Sequence, residues 1–348
     1  MALDQMTELP VPDERRTADR RQPAGGRPAA AKASAQASAA ERKGYDQLIA
    51  DARKMPPIAT AVAHPCEESV LRAVAEGASL GLIRPILVGP REKIMFVASE
   101  HGIDLGDTPI VDVPHSHAAA ARAVELVRRG EAEILMKGSL HTDELMAEVV
   151  ARETGLRTER RISHVFIMDV PTYHKPLFVT DAAVNIFPTL DDKVDICQNA
   201  IDLALGLGVT TPKVAILSAV ETVTAKIPST LDAACLCKMA ERGQIRGGVL
   251  DGPLAFDNAI SAEAAATKGI HSPVSGDPDI LVVPDLDAGN MLAKQLTFLV
   301  GADAAGLVLG ARVPIVLTSR ADSVRTKLAS MGVAMLLVHA RRSAVRPV

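Results

Sequence analysis

From residue 45 onward, short apolar runs alternate with longer stretches in which apolar positions recur every three or four residues. "IATAVAH" (58–64) predicts a buried strand, "EESVLRAVAEGASLGL" an amphipathic helix and "RPILVG" the next strand. Further strands are predicted at 109–113, 133–136, 164–170, 176–180, 213–218, 247–250, 280–283, 305–309 and 313–318. Ten to twenty residues between strands is the βαβ spacing, which implies a parallel sheet covered by helices. The count exceeds the ~5 to 6 strands of an average sheet, so two α/β domains are expected. We place the first at 44–153 with the C-terminal helix, 322–348, returning to it, and the second at 154–321. Residues 1–43, rich in Ala, Pro, Gly, Ser and Arg, carry no apolar period and are expected to be a disordered tail or linker. No fixed-period internal repeat is visible.

Polar clusters follow several strands: Lys137-Gly138-Ser139, Asp181, Glu221, Asp251, Asp285 and Ser319-Arg320. In a parallel sheet such ends share one edge, where ligands bind. In "PIVLTSRADS" (314–323), Asp322 opens a helical pattern and fits an N-cap, while Arg320 is placed to grip an oxyanion beside the helix start. Spacing alone leaves both readings open. Likewise Lys137 and the amides of Gly138 and Ser139 either start a helix or hold an anion. Arg157, Arg160, Arg161 and His164 form a solvated run or a basic rim for a polyanion. Asp181, Asn185, Asp251, Asp257 and Asn258 suit turns and caps at least as well as catalysis, and no tight cluster points to a metal. There is no P-loop spacing and no G-x-G-x-x-G after a strand.

Composition narrows the function. A net charge of -4 with 2% aromatic residues gives no footprint for nucleic acid or an anionic membrane. Cys66, Cys197, Cys235 and Cys237 lack zinc or disulfide spacing and are expected as reduced thiols, the last two in a helix core. The longest apolar run is interrupted by Arg312 and Pro314 and falls short of the ~20 residues of a membrane span. No apolar signal core opens the chain, so a cytoplasmic protein is expected.

"LMKGSLHT", "RISHVFIMD", "FVTDAAVNIFPTL", "AVETVTAKIPSTLDAACLCKMAERGQIRGGVLDGPLAFDNAIS", "PDILVVPDLDAGNMLAKQL" and "VPIVLTSRADS", in this order, resemble the phosphate acetyl/butyryltransferase family, and most closely its butyryltransferase branch. The likeness spans about Tyr45 to the C-terminus. It implies two α/β domains with an interdomain cleft, isocitrate/isopropylmalate dehydrogenase-like, and a homodimer or larger assembly. It implies reversible transfer of a short acyl group between CoA and phosphate by direct thiol attack in a ternary complex. CoA and phosphate would be substrates, with no cofactor and no metal. The family's Ser-Arg pair falls on Ser319 and Arg320: Arg320 for the phosphoryl group, Ser319 for the thiol or developing oxyanion. Where the acetyltransferase branch has an aspartate seven residues after the serine, this chain has Thr326. Asp322, the nearest carboxylate, becomes the candidate base, with Lys137, Gly138, Ser139 and Arg161 as substrate contacts. Two rivals are a noncatalytic acyl-CoA-binding or interaction protein on this fold and a metal-dependent decarboxylating dehydrogenase.

Overall fold

The structure, a computed structural model, describes residues 44–319 and 321–345. Helix α1 (44–52) leads into β1 (Ile58–Ala63), α2 (Glu68–Ser79), β2 (Ile83–Gly89), α3 (Arg91–Glu100), β3 (Ile110–Asp112), α4 (Ser116–Arg128), β4 (Ile134–Lys137) and α5 (Thr142–Val150). Then come β5 (Ser163–Asp169), β6 (Leu177–Thr180), α6 (Leu190–Gly206), β7 (Lys213–Leu217), α7 (Pro228–Glu241), β8 (Val249–Leu254), α8 (Phe256–Ile260) and α9 (Ala262–Thr267). The chain closes with β9 (Ile280–Val282), α10 (Leu286–Val300), β10 (Asp303–Leu309), β11 (Ile315–Val316) and α11 (Val324–Val345). Every strand the apolar runs predict is present. Their period fixes the helices too: on α2 the buried Val70, Leu71 and Val74 form one stripe facing inward.

The sheet corrects the expected architecture. In place of the expected isocitrate/isopropylmalate dehydrogenase-like arrangement, the described strands join one eleven-stranded sheet, ordered β3-β2-β1-β4-β11-β10-β5-β6-β9-β7-β8. The physical reason is β11, which pairs parallel with β4 on one side and antiparallel with β10 on the other, while β10 pairs antiparallel with β5. Hydrogen bonding therefore runs unbroken through the centre. The sheet is also mixed, because β5 pairs antiparallel with β6, so the strands of the two halves point in opposite directions. The polar clusters after β4 and β11 share an edge; those after β6, β7 and β9 lie on the opposite one.

Helices cover the two faces unequally. On one face a single apolar core runs under α2, α3, α6, α7 and α11, including Leu71, Ile94, Cys197, Leu236 and Met335. The other face carries two smaller cores, one under α4 and α5 with Ala123, Leu145 and Ile315, the other under α10 with Leu281 and Val283. Between them the sheet is bare of helix cover. That gap is the cleft.

Candidate active site

The cleft has a volume of about 710 Å³. Its floor is the sheet, at His164 and Phe166 of β5 and Leu317 after β11. Lys137 and His141 close one wall, and Asn290, Lys294 and Thr297 of α10 close the other. Ser319, Asp322 and Thr326 complete the rim. Register explains why Lys137 meets this loop: Met136 pairs with Val316, so β4 and β11 end side by side and point the same way.

Lys137 is buried, and its ammonium donates to the Gly138 carbonyl at 3.3 Å. The turn after it is welded to the end of β1. Gly138 N–H donates to the Ala63 carbonyl at 2.9 Å, and a Cβ on Gly138 would stand 2.4 Å from that oxygen and 2.5 Å from the His64 carbonyl. Only glycine fits there. Ser139 donates its hydroxyl to the His64 carbonyl at 2.8 Å and accepts the Cys66 N–H at 3.3 Å. Gly138 and Ser139 are thus engaged with β1 rather than lining the cleft.

Asp322 and Ser319 clasp each other. Ser319 N–H donates to the Asp322 carboxylate at 2.6 Å, Asp322 N–H donates to the Ser319 carbonyl at 3.1 Å, and Ala321 N–H donates to the Ser319 hydroxyl at 3.3 Å. The helix cap expected at Asp322 belongs to Ser323, whose hydroxyl accepts the Thr326 N–H at 3.1 Å. Asp322 shapes the turn before the helix instead. Its carbonyl accepts a hydrogen bond from Lys327, whose burial lowers the ammonium pKa. Arg320 lies outside the described residues.

The remaining expected residues scatter. The Arg161 guanidinium donates from Nε to the Asn185 side chain at 2.8 Å and pairs with Asp192 at 3.4 Å, while its N–H donates to Asp195 at 2.8 Å. It is anchored to the start of α6 and does not line the cleft. Asp181 is a turn anchor, accepting N–H bonds from Ala183, Val184 and Asn185 at 2.9, 3.0 and 3.1 Å. Asp257 and Glu221 pair with Lys268. Cys235, expected in a core, is exposed, because α7 turns it outward. Among the described residues no group of three or more His, Cys, Asp or Glu is arranged to hold a metal, and no helix is long and apolar enough to cross a membrane.

Sequence reading missed Asn290, Lys294 and Thr297. Their spacing of four and three residues sets a polar stripe along one side of α10, and that was the available signal. It also put His164 in a run read as either solvated or a basic rim, whereas the residue is only 1% exposed. Burial lowers its pKa, opposed by Asp181, the Leu317 carbonyl and Asp322, so the ring is neutral near pH 7. A second cavity of about 390 Å³ lies on the opposite face between α1 and α11 and holds none of the expected residues.

A family profile described as phosphate acetyl/butaryl transferase matches residues 114–335. A phosphate acetyltransferase of Rhizobium meliloti is 70% identical over 300 residues, covering 86% of this chain and 95% of that protein. A phosphate butyryltransferase of Clostridium acetobutylicum is 42% identical over 297 residues, covering 85% of this chain and 98% of that protein. The expected closeness to the butyryltransferase branch is thereby overturned in favour of the acetyltransferases. Among solved structures, a branched-chain phosphotransacylase from Enterococcus faecalis V583 superposes with a TM-score of 0.71 at 35% identity, covering 81% of this chain and 99% of that one. The fold is therefore that of the phosphotransacylases, in place of the isocitrate/isopropylmalate dehydrogenase likeness expected above.

Proposed function

Because this chain belongs to the phosphate acetyl/butyryltransferase family and transfers an acyl group reversibly between CoA and phosphate, we propose that acetyl is the group it handles and that the reaction takes place in the cleft between α5 and α10. The observation that carries the reading is the meeting of Lys137 with the Ser319–Asp322 turn at one sheet edge. A buried ammonium supplies positive potential for phosphate. The Ser319 hydroxyl is positioned to donate to the thiol or to the oxygen that gains charge as sulfur attacks. In this reading Arg320 holds the phosphoryl group with its forked donors.

Asp322, clasped to Ser319, serves by fixing the turn that presents Ser319. Gly138 and Ser139 serve in the same way for Lys137. Arg161 is assigned to the CoA side, just ahead of β5. Holding thiol and acyl phosphate in line in a ternary complex supplies roughly 7 to 11 kcal/mol of the barrier without a covalent enzyme intermediate. In the same reading the chain is assigned to two lobes, 44–153 with 322–348 and 154–321.

A homodimer in the cytoplasm belongs to the same reading. Exposed Ile186, Phe187, Phe298 and Leu299 support an assembly surface, and four free cysteines suit a reducing compartment. The test is CoA release, followed with a thiol-reactive dye, from acetyl-CoA and butyryl-CoA with and without phosphate. Phosphate-dependent release is expected from both, with kcat/KM favouring acetyl-CoA by about 10-fold or more, the scale of pocket discrimination over two methylenes. A preference for butyryl-CoA would overturn the acetyl assignment.

A further inference from the structure

The cleft floor contains a polar side chain that the reading above leaves idle. His164 is 1% exposed, lines the cleft together with Lys137, Ser319 and Asp322, and neither ring nitrogen makes a hydrogen bond of good geometry within the protein. Its polar neighbours are satisfied: Thr180 donates to the His164 carbonyl at 2.9 Å, Asn199 to Ser163 at 2.9 Å, and Gly306 N–H to Ser330 at 2.9 Å. A buried imidazole that meets the Leu317 carbonyl but completes no well-formed hydrogen bond calls for an explanation.

The surroundings look built to keep the ring in place. On β10, Gly306 leaves room for it, since a Cβ there would stand 3.0 Å from His164 Nε2. Phe166 meets it edge to face, with ring centroids 4.4 Å apart. The register that pairs Val165 with Thr180 brings His164 beside Asp181, whose carboxylate is pinned by backbone N–H groups. That fixed negative charge favours the ring when it takes a proton.

The acyl transfer needs such a group. Position 326, seven residues after Ser319, is a threonine, and one oxygen of the Asp322 carboxylate is engaged by Ser319 N–H. We propose that His164 is a further catalytic residue: its neutral imidazole takes the thiol proton of CoA as sulfur attacks the acyl carbonyl, and gives that proton to the departing phosphate. The carbon–sulfur bond forms, the carbon–oxygen bond to phosphate breaks, and the proton that leaves sulfur ends on hydrogen phosphate. The return reaction runs the same steps backwards. The inference rests on the acyl-transfer reading and adds to it the acid–base group.

The charged groups facing the ring are Asp181 after β6 and Asp322 before α11, with Lys137, His141, Lys294 and Asp303 around the cleft. A base must be neutral to act, and the folded pKa lies below the ordinary 6.5. Activity therefore holds at neutral pH and falls as pH drops through that lowered value.

The test compares wild type with His164→Gln, which keeps the size and hydrogen-bonding capacity of the ring but cannot shuttle a proton, in acetyl-CoA synthesis from acetyl phosphate and CoA. The expected result is a kcat lower by about 10²-fold or more, with both KM values changed by less than about threefold and the acid limb of the pH profile abolished. A kcat within about threefold of wild type, or a retained acid limb, would overturn the proposal. A second measurement needs no variant: in wild type the acid limb must move with temperature, as imidazole ionisation does, and a limb that stays fixed, as for a carboxylate, would overturn it as well. An inactive wild type would remove the acyl-transfer reading and this proposal together, whereas an active wild type with an indifferent His164→Gln removes only the role of His164.

Discussion

Replacing Arg320 by alanine is expected to lower kcat/KM by about 10²- to 10³-fold, the usual effect of deleting one donor aimed at developing charge. Charge-assisted bonds to phosphate are roughly twice as strong as neutral ones, and a guanidinium presents two of them in parallel. A lysine keeps the charge but loses the fork, so Arg320→Lys should restore only part of the loss. Steady-state kinetics in both directions checks this. The KM for phosphate should rise while the KM for CoA stays nearly constant. Loss confined to CoA would place Arg320 on the wrong substrate.

The second large effect is on folding. Gly138→Ala forces a Cβ to within 2.4 Å of the Ala63 carbonyl and 2.5 Å of the His64 carbonyl, so either the turn or the end of β1 must move. Overpacking of this kind costs about 1–3 kcal/mol. Urea denaturation should show a lower midpoint, and activity should fall further than stability because Lys137 is displaced with the turn. Gly332→Ala in α11 is the matched contrast. Its nearest neighbours would be Ile49 Cδ1 at 3.6 Å and Ala52 Cβ at 3.8 Å, ordinary contacts. An alanine there should stabilise the helix by about 0.5–1 kcal/mol. Equal destabilisation by both variants would remove steric crowding as the cause.

These expectations show what the chain discloses and what it conceals. Strands were legible because burial on both faces imposes continuous apolar runs such as "IATAVAH", whatever their partners. Partners were not legible. β11 retains only Ile315 and Val316 in the ladder, yet those two residues join the halves of the sheet, and no count of apolar runs shows that. Lys137 and the Ser319–Asp322 turn were readable as chemistry because polar residues interrupt a buried strand's end. Arg161 and His164 were not, since charge alone does not reveal the environment that folding provides. Arg161 finds Asp195 and Asp192 on a helix more than thirty residues away, and His164 sinks beneath a cleft. The helix start was misread by one residue because Asp322 and Ser323 are both good caps, and only the turn geometry assigns the carboxylate to Ser319.

The central claim is that the gap between α5 and α10 is where CoA and phosphate meet. A crystal structure of the protein with CoA and inorganic phosphate tests it most directly. The account predicts phosphate on Arg320 and Lys137, and the thiol sulfur beside Ser319 and His164. CoA seated in the cavity between α1 and α11, on the opposite face of the sheet, would contradict it.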